Sequence, residues 1–96
     1  MERRPRDLIQ ALCSLAWNYL STLPLRESTR RKIYSAFKAW TREIAYGEGN
    51  LGFLQQLLQN PEAVKNVIDS MIVRRNLMKY RTLSRKQYHV TVYYLK

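Results

Sequence analysis

Asn60-Pro61-Glu62-Ala63-Val64-Lys65-Asn66-Val67-Ile68-Asp69-Ser70-Met71-Ile72 is the stretch whose reading decides the fold. Asn60 brings a side-chain oxygen to the orphan N–H groups of a first helical turn. Pro61 suits the first helical position, where its missing N–H costs nothing, and Glu62 meets the positive end of the helix dipole. Behind this start Val64, Val67, Ile68, Met71 and Ile72 recur with a period near 3.6. The pattern predicts a helix over 61–75.

Working outward toward the N-terminus, Leu51, Leu54, Leu57 and Leu58 form the inner face of a short helix over 51–59, with Asn50 as its N-cap. The loop Gly47-Glu48-Gly49-Asn50 precedes it. Ile33, Phe37, Trp40 and Ile44 fall on one face of a helix over 26–46, which Gly47 would cap. Arg31, Ser35, Lys38 and Arg42 repeat at the same spacing on the opposite side. A further helix over 7–23 carries Leu8, Leu12, Leu15 and Tyr19, with Ile9, Ala16, Leu20 and Leu23 widening the stripe. Pro24 ends it. Its apolar face is wide enough for burial on two sides, so Leu8, Leu12, Leu15 and Tyr19 are expected at a homodimer interface.

Toward the C-terminus the period changes from 3.6 to 2. Tyr88, Val90, Val92 and Tyr94 alternate with His89, Thr91, Tyr93 and Leu95, nearly all β-branched or aromatic. This predicts a strand over 87–95, with a hairpin partner over 77–82. The expected fold is therefore mainly α with a C-terminal β-hairpin, an α+β class with four helices and two strands, in a single domain over 1–96.

Composition bounds what such a domain does. The chain has 96 residues, close to the ~100-residue size of one domain. Lys and Arg number 17 against 7 Asp and Glu, a formal charge of +10, with 46% hydrophobic residues to build a core. A polyanion is the usual partner of such a balance. One cysteine and one histidine, Cys13 and His89, make neither a zinc site nor a disulfide framework. No cofactor or metal is expected. Seven acids, one His and one Cys also assemble no catalytic set, so an enzyme is not expected. Gly47, Gly49 and Gly52 mimic a dinucleotide fingerprint, but no βαβ unit surrounds them and no Lys-Ser/Thr follows. Cys13, His89, Trp17 and Trp40 read as ordinary packing residues.

Arg3, Arg4 and Arg6 before the apolar run 8–23 superficially resemble a secretory signal. The run is broken by Gln10, Ser14, Asn18 and Ser21, no small-x-small cleavage site follows, and it is shorter than the ~20 apolar residues of a membrane span. The expectation is a soluble intracellular protein of the cytoplasm or nucleus of a host cell, with no membrane partner.

The order of elements from Asn50 to Leu95 resembles a winged helix-turn-helix: short helix, turn at Asn60-Pro61-Glu62, longer helix, then a hairpin wing. The turn lacks the glycine common there, and no short strand lies between helices 7–23 and 26–46. The resemblance implies a core over 26–95, with helix 7–23 as an N-terminal addition. It also implies DNA binding, as a transcriptional regulator acting as a homodimer that reads two half-sites. The recognition helix would present Lys65, Asn66, Asp69 and Ser70 to base edges. Arg74, Arg81, Arg85 and Lys86 would meet phosphates from the wing and its approach, and Arg31, Lys38 and Arg42 would add backbone contacts. Charge supports this: after Asp69 there are seven basic residues and no acidic one.

Two other functions stay open. The chain holds 11 Arg against 6 Lys and is rich in Leu, Ser and Trp, a balance found in small viral accessory proteins that bind a host protein. Alternatively, Tyr80, Tyr88, Tyr93 and Tyr94 would let a Tyr-rich hairpin stack RNA bases, or simply pack or dimerise. The nucleic-acid expectation is duplex DNA first and RNA second.

Overall fold

The computed structural model describes residues 4–77. Helix α1 spans Pro5–Ser21, α2 Glu27–Arg42, α3 Leu51–Leu58 and α4 Pro61–Leu77; a π-helical turn, Glu43–Gly47, extends α2. Among the described residues every regular element is helical, which corrects the α+β expectation. Leu77, expected to open a strand, is instead the last residue of α4. The helix continues through Arg74, Arg75 and Asn76, which carry no β-branched side chain to favour a strand. The rest of the expected hairpin, 78–82 and 87–95, lies outside the described residues.

Local signals at the helix starts act as the sequence implies. Asn50 Oδ1 accepts from the Phe53 N–H at 3.1 Å, and Asn60 Oδ1 accepts from the Ala63 N–H at 3.3 Å. Pro61 opens α4 as expected, and Pro5 opens α1 two residues before the expected start at 7, each at a position where no N–H is needed.

The core gathers around α1. Leu8, Leu12, Ala16 and Leu20 are fully buried, and α1 packs against α2, α3, α4 and the π turn. Helix 7–23 is therefore the spine of the fold, not an addition to it. Its stripe is wide because helices cover it on more than one side. Phe37 and Ile33 enter from α2, Leu54 and Leu57 from α3, and Val64, Val67 and Ile68 from α4, all buried. Each such side chain contributes about 1.5–3 kcal/mol by leaving water.

The π turn explains why α2 does not run regularly to Tyr46. Glu48 N–H reaches the Glu43 carbonyl at 3.1 Å and Asn50 N–H the Ile44 carbonyl at 2.9 Å, longer steps than the α-helical one. The wider turn buries the consecutive residues Ile44 and Ala45 together and leaves Tyr46 exposed. Gly49 follows with φ at +64°, the one left-handed residue among those described.

Arg30 fixes the corner between α1 and α2. Its Nε donates to the Leu20 carbonyl at 3.0 Å, and Nη2 donates to the carbonyls of Leu23 and Leu25 at 2.9 and 3.1 Å. Nη1 pairs with Glu27 at 3.0 Å. One largely buried guanidinium thus adds a charged donor to carbonyls at the end of α1 and in the turn, two of which, Leu20 and Leu23, also accept backbone N–H groups. The resulting helical hairpin sets the polar stripe of α2 beside that of α1.

Candidate nucleic-acid interface

On α4, the expected recognition residues do not form a common exposed face. Ser70 is buried at 3% exposure. Asp69 is half-buried and accepts a 2.7 Å hydrogen bond from the Tyr19 hydroxyl of α1. Asn66 is half-buried too, while Lys65 is exposed with its ammonium 5.7 Å from the Tyr19 ring centre. Met71, Val67 and Ile68 turn the helix inward, and buried Ser70 lies on that inward side. The polar side of α4 is thus partly committed to holding α1.

Arg74, also on α4, is half-buried. Arg81, Arg85 and Lys86 lie outside the described residues, as do His89 and the tyrosines Tyr80, Tyr88, Tyr93 and Tyr94. Of the expected dimer residues, Leu8 and Leu12 have no exposed surface and belong to the protomer's own core. Leu15 and Tyr19 are half-buried and line a cleft of about 320 Å³ between α1 and α4 with Asn18, Thr22, Pro61, Val64 and Lys65.

The α2 stripe fares differently. Arg31, Ser35, Lys38 and Arg42 are all exposed. Lys38 and Arg42 face Arg6 of α1 across a groove of about 430 Å³ that also touches Ile9, Gln10, Cys13, Ser14 and Tyr34. Three cations line this groove and no carboxylate does. Arg42 is also placed over the Tyr46 ring, its guanidinium carbon 5.3 Å from the centroid, so the π turn helps to orient it.

The floor of the groove is neutral. Burial pushes the Cys13 thiol above its ordinary value, against the opposing influence of Lys38 and of hydrogen bonding with Thr41 and Tyr34. Tyr34 is raised as well, by burial first and then by Cys13. At neutral pH both groups keep their protons, so neither offsets the positive rim. A buried thiol held neutral is also a poor nucleophile.

Next to the groove, Trp17, Arg31, Tyr34 and Ser35 line an open cleft of about 420 Å³. The Trp17 and Tyr34 rings meet edge to face, 5.1 Å between centroids at 76°. Arg31 Nε donates to Glu27 at 3.0 Å, which sets the guanidinium at the rim. Tyr34 belongs to both cavities, so groove and cleft form one continuous face of the α1–α2 hairpin.

Arg6 and Tyr34 are residues of this face that the sequence reading did not single out, and Trp17 is one that it read as packing. A signal for them exists: Arg6, Gln10, Cys13, Ser14 and Trp17 follow helical spacing along α1, beside its apolar stripe. Among the described residues no group of three or more His, Cys, Asp or Glu side chains is placed to hold a metal ion, and no helix is long and apolar enough to cross a membrane. Comparison with protein-family models, curated proteins and solved structures finds no match.

Proposed function

We propose that this chain is a nucleic-acid-binding protein whose phosphates dock on the α1–α2 groove. The observation that carries the proposal is the convergence of Arg6, Lys38 and Arg42 on one concave surface with no carboxylate in its lining. Concave walls of one sign concentrate the field and attract a polyanion. Phosphate contact needs only positive charge and hydrogen-bond donors, and Arg and Lys supply both. The overall charge of +10 adds long-range attraction at low ionic strength.

The test is a salt titration of binding to a labelled oligonucleotide, followed by fluorescence anisotropy. Affinity is expected to fall log-linearly with salt, with a slope of about −0.7 to −0.9 per phosphate neutralised. Replacing Lys38 and Arg42 by Ala together should reduce the slope by about two such contacts. Lys65→Ala, on α4 and outside the groove, should leave the slope unchanged. An undiminished slope in the Lys38/Arg42 double variant overturns the placement of the site. Absence of any binding at low salt overturns the function.

A further inference from the structure

We propose that the Trp17–Tyr34 cleft is a stacking pocket for an unpaired nucleobase, so that the nucleic acid on this face is a single strand. The inference rests on the phosphate reading of the adjoining groove and narrows it to one class of ligand.

The first support is the kind of surface that the cleft offers. Both rings are only half-buried, and they meet nearly at right angles along an open cavity of about 420 Å³, within the range of small-ligand clefts. Ser35 and the Arg31 guanidinium line the same opening. Aromatic rings take the π-face of any base, and Arg adds a planar cation.

The second support is continuity. Tyr34 lines both the aromatic cleft and the cationic groove. From Arg6 to Trp17 is eleven residues along α1, or about 16 Å of helix. A strand whose phosphates lie against Arg6, Lys38 and Arg42 therefore brings its next bases to the rings. A duplex keeps its bases paired and stacked inside, whereas the rings line an open cleft on the α1–α2 face. A base must leave the stack to enter it.

The experiment compares three probes on the full chain at low salt. They are an oligothymidylate, an abasic deoxyribose-phosphate oligomer of the same length, and a duplex of the same length. The oligothymidylate is expected to bind about tenfold tighter than the abasic oligomer, which carries the same phosphates without bases. Trp17→Leu and Tyr34→Leu should each erase most of that difference while leaving the salt slope in place, and Trp17→Phe should retain it. Circular dichroism checks that each variant folds, and the comparison of probes on the unaltered protein does not depend on any variant. Equal affinity for the abasic oligomer and the oligothymidylate overturns the stacking pocket and leaves the phosphate groove standing. Tighter binding of the duplex than of the single strand overturns it as well. Failure of all three probes to bind removes the groove and the pocket together.

Discussion

The Tyr19 hydroxyl donates to the Asp69 carboxylate at 2.7 Å, tying α1 to α4 across fifty residues of sequence. Lys65 stands over the same tyrosine ring, so one side chain of α1 meets an anion and a cation of α4 at once. Losing the hydroxyl in Tyr19→Phe should cost about 1–2 kcal/mol, toward the low end for a hydrogen bond to a charged group because the pair is only partly buried. For a domain of this size that corresponds to a fall in Tm of roughly 4–15 °C. Asp69→Asn keeps an acceptor and should cost less. Equal Tm values for the wild type and Tyr19→Phe would remove the bond from the account of stability.

The same bond gives a pH dependence. Tyr19 is pushed up from 10.0 to about 12, first by burial, then by its hydrogen bond to Asp69. The folded chain thus holds the phenolic proton more tightly than the unfolded chain does. The stability that this confers is whole below about pH 10, and is lost as pH rises through about 12. Urea unfolding at about pH 9 and about pH 11 should show a steeper alkaline loss in the wild type than in Tyr19→Phe. Parallel losses in the two proteins would contradict it.

Arg30 is a largely buried charge on which the corner between α1 and α2 depends. Arg30→Ala leaves the carbonyls of Leu20, Leu23 and Leu25 without their guanidinium donor. The expected loss is about 2–3 kcal/mol by chemical denaturation. Arg30→Lys should recover little, because a point ammonium does not reproduce a planar fork of donors. Full recovery by lysine would mean that charge alone matters at this corner.

Gly49 has room for a side chain, since nothing lies within 4 Å of a Cβ placed there, yet its φ of +64° is unfavourable for any residue with a Cβ. Gly49→Ala should therefore destabilise by about 1 kcal/mol through the backbone alone. Gly49→Asn should be milder, as asparagine tolerates the left-handed region. A neutral alanine variant would indicate that the loop relaxes.

Glu27 lies beside the proposed interface and is exposed. Its carboxylate accepts from Arg31 Nε and Arg30 Nη1, and the bond from Arg31 holds its pKa below the ordinary value. Glu27→Gln removes the negative charge paired with Arg31. Affinity for a single strand should rise severalfold at low salt and converge with the wild type at high salt. A weaker complex would instead show that Glu27 serves to position Arg31.

The helical half of the architecture was legible because it depends on local chemistry. Asn50 and Asn60 cap where they stand, and the faces built on Phe37, Leu54 and Val67 are buried as their spacing requires. The end of α4 was not legible. Alternation over 87–95 points to a strand with a partner beginning at Leu77, but helix propagation holds at Leu77 instead. The role of α1 was ambiguous for a different reason. Leu8 and Leu12 would look the same whether covered by a second copy or by the chain's own helices. The groove was hidden because it joins residues of two helices, Arg6 with Lys38 and Arg42, and spacing along one helix does not say which stripe of another lies beside it.

The central position of α1 also governs how the molecule is made. During synthesis α1 leaves the ribosome well before α4, so its apolar stripe must wait for the helix that carries Val64, Val67 and Ile68. Until then the nascent chain carries leucines without their final covering beside an excess of positive charge. Like charge on neighbouring nascent chains opposes their association while the stripe stays uncovered.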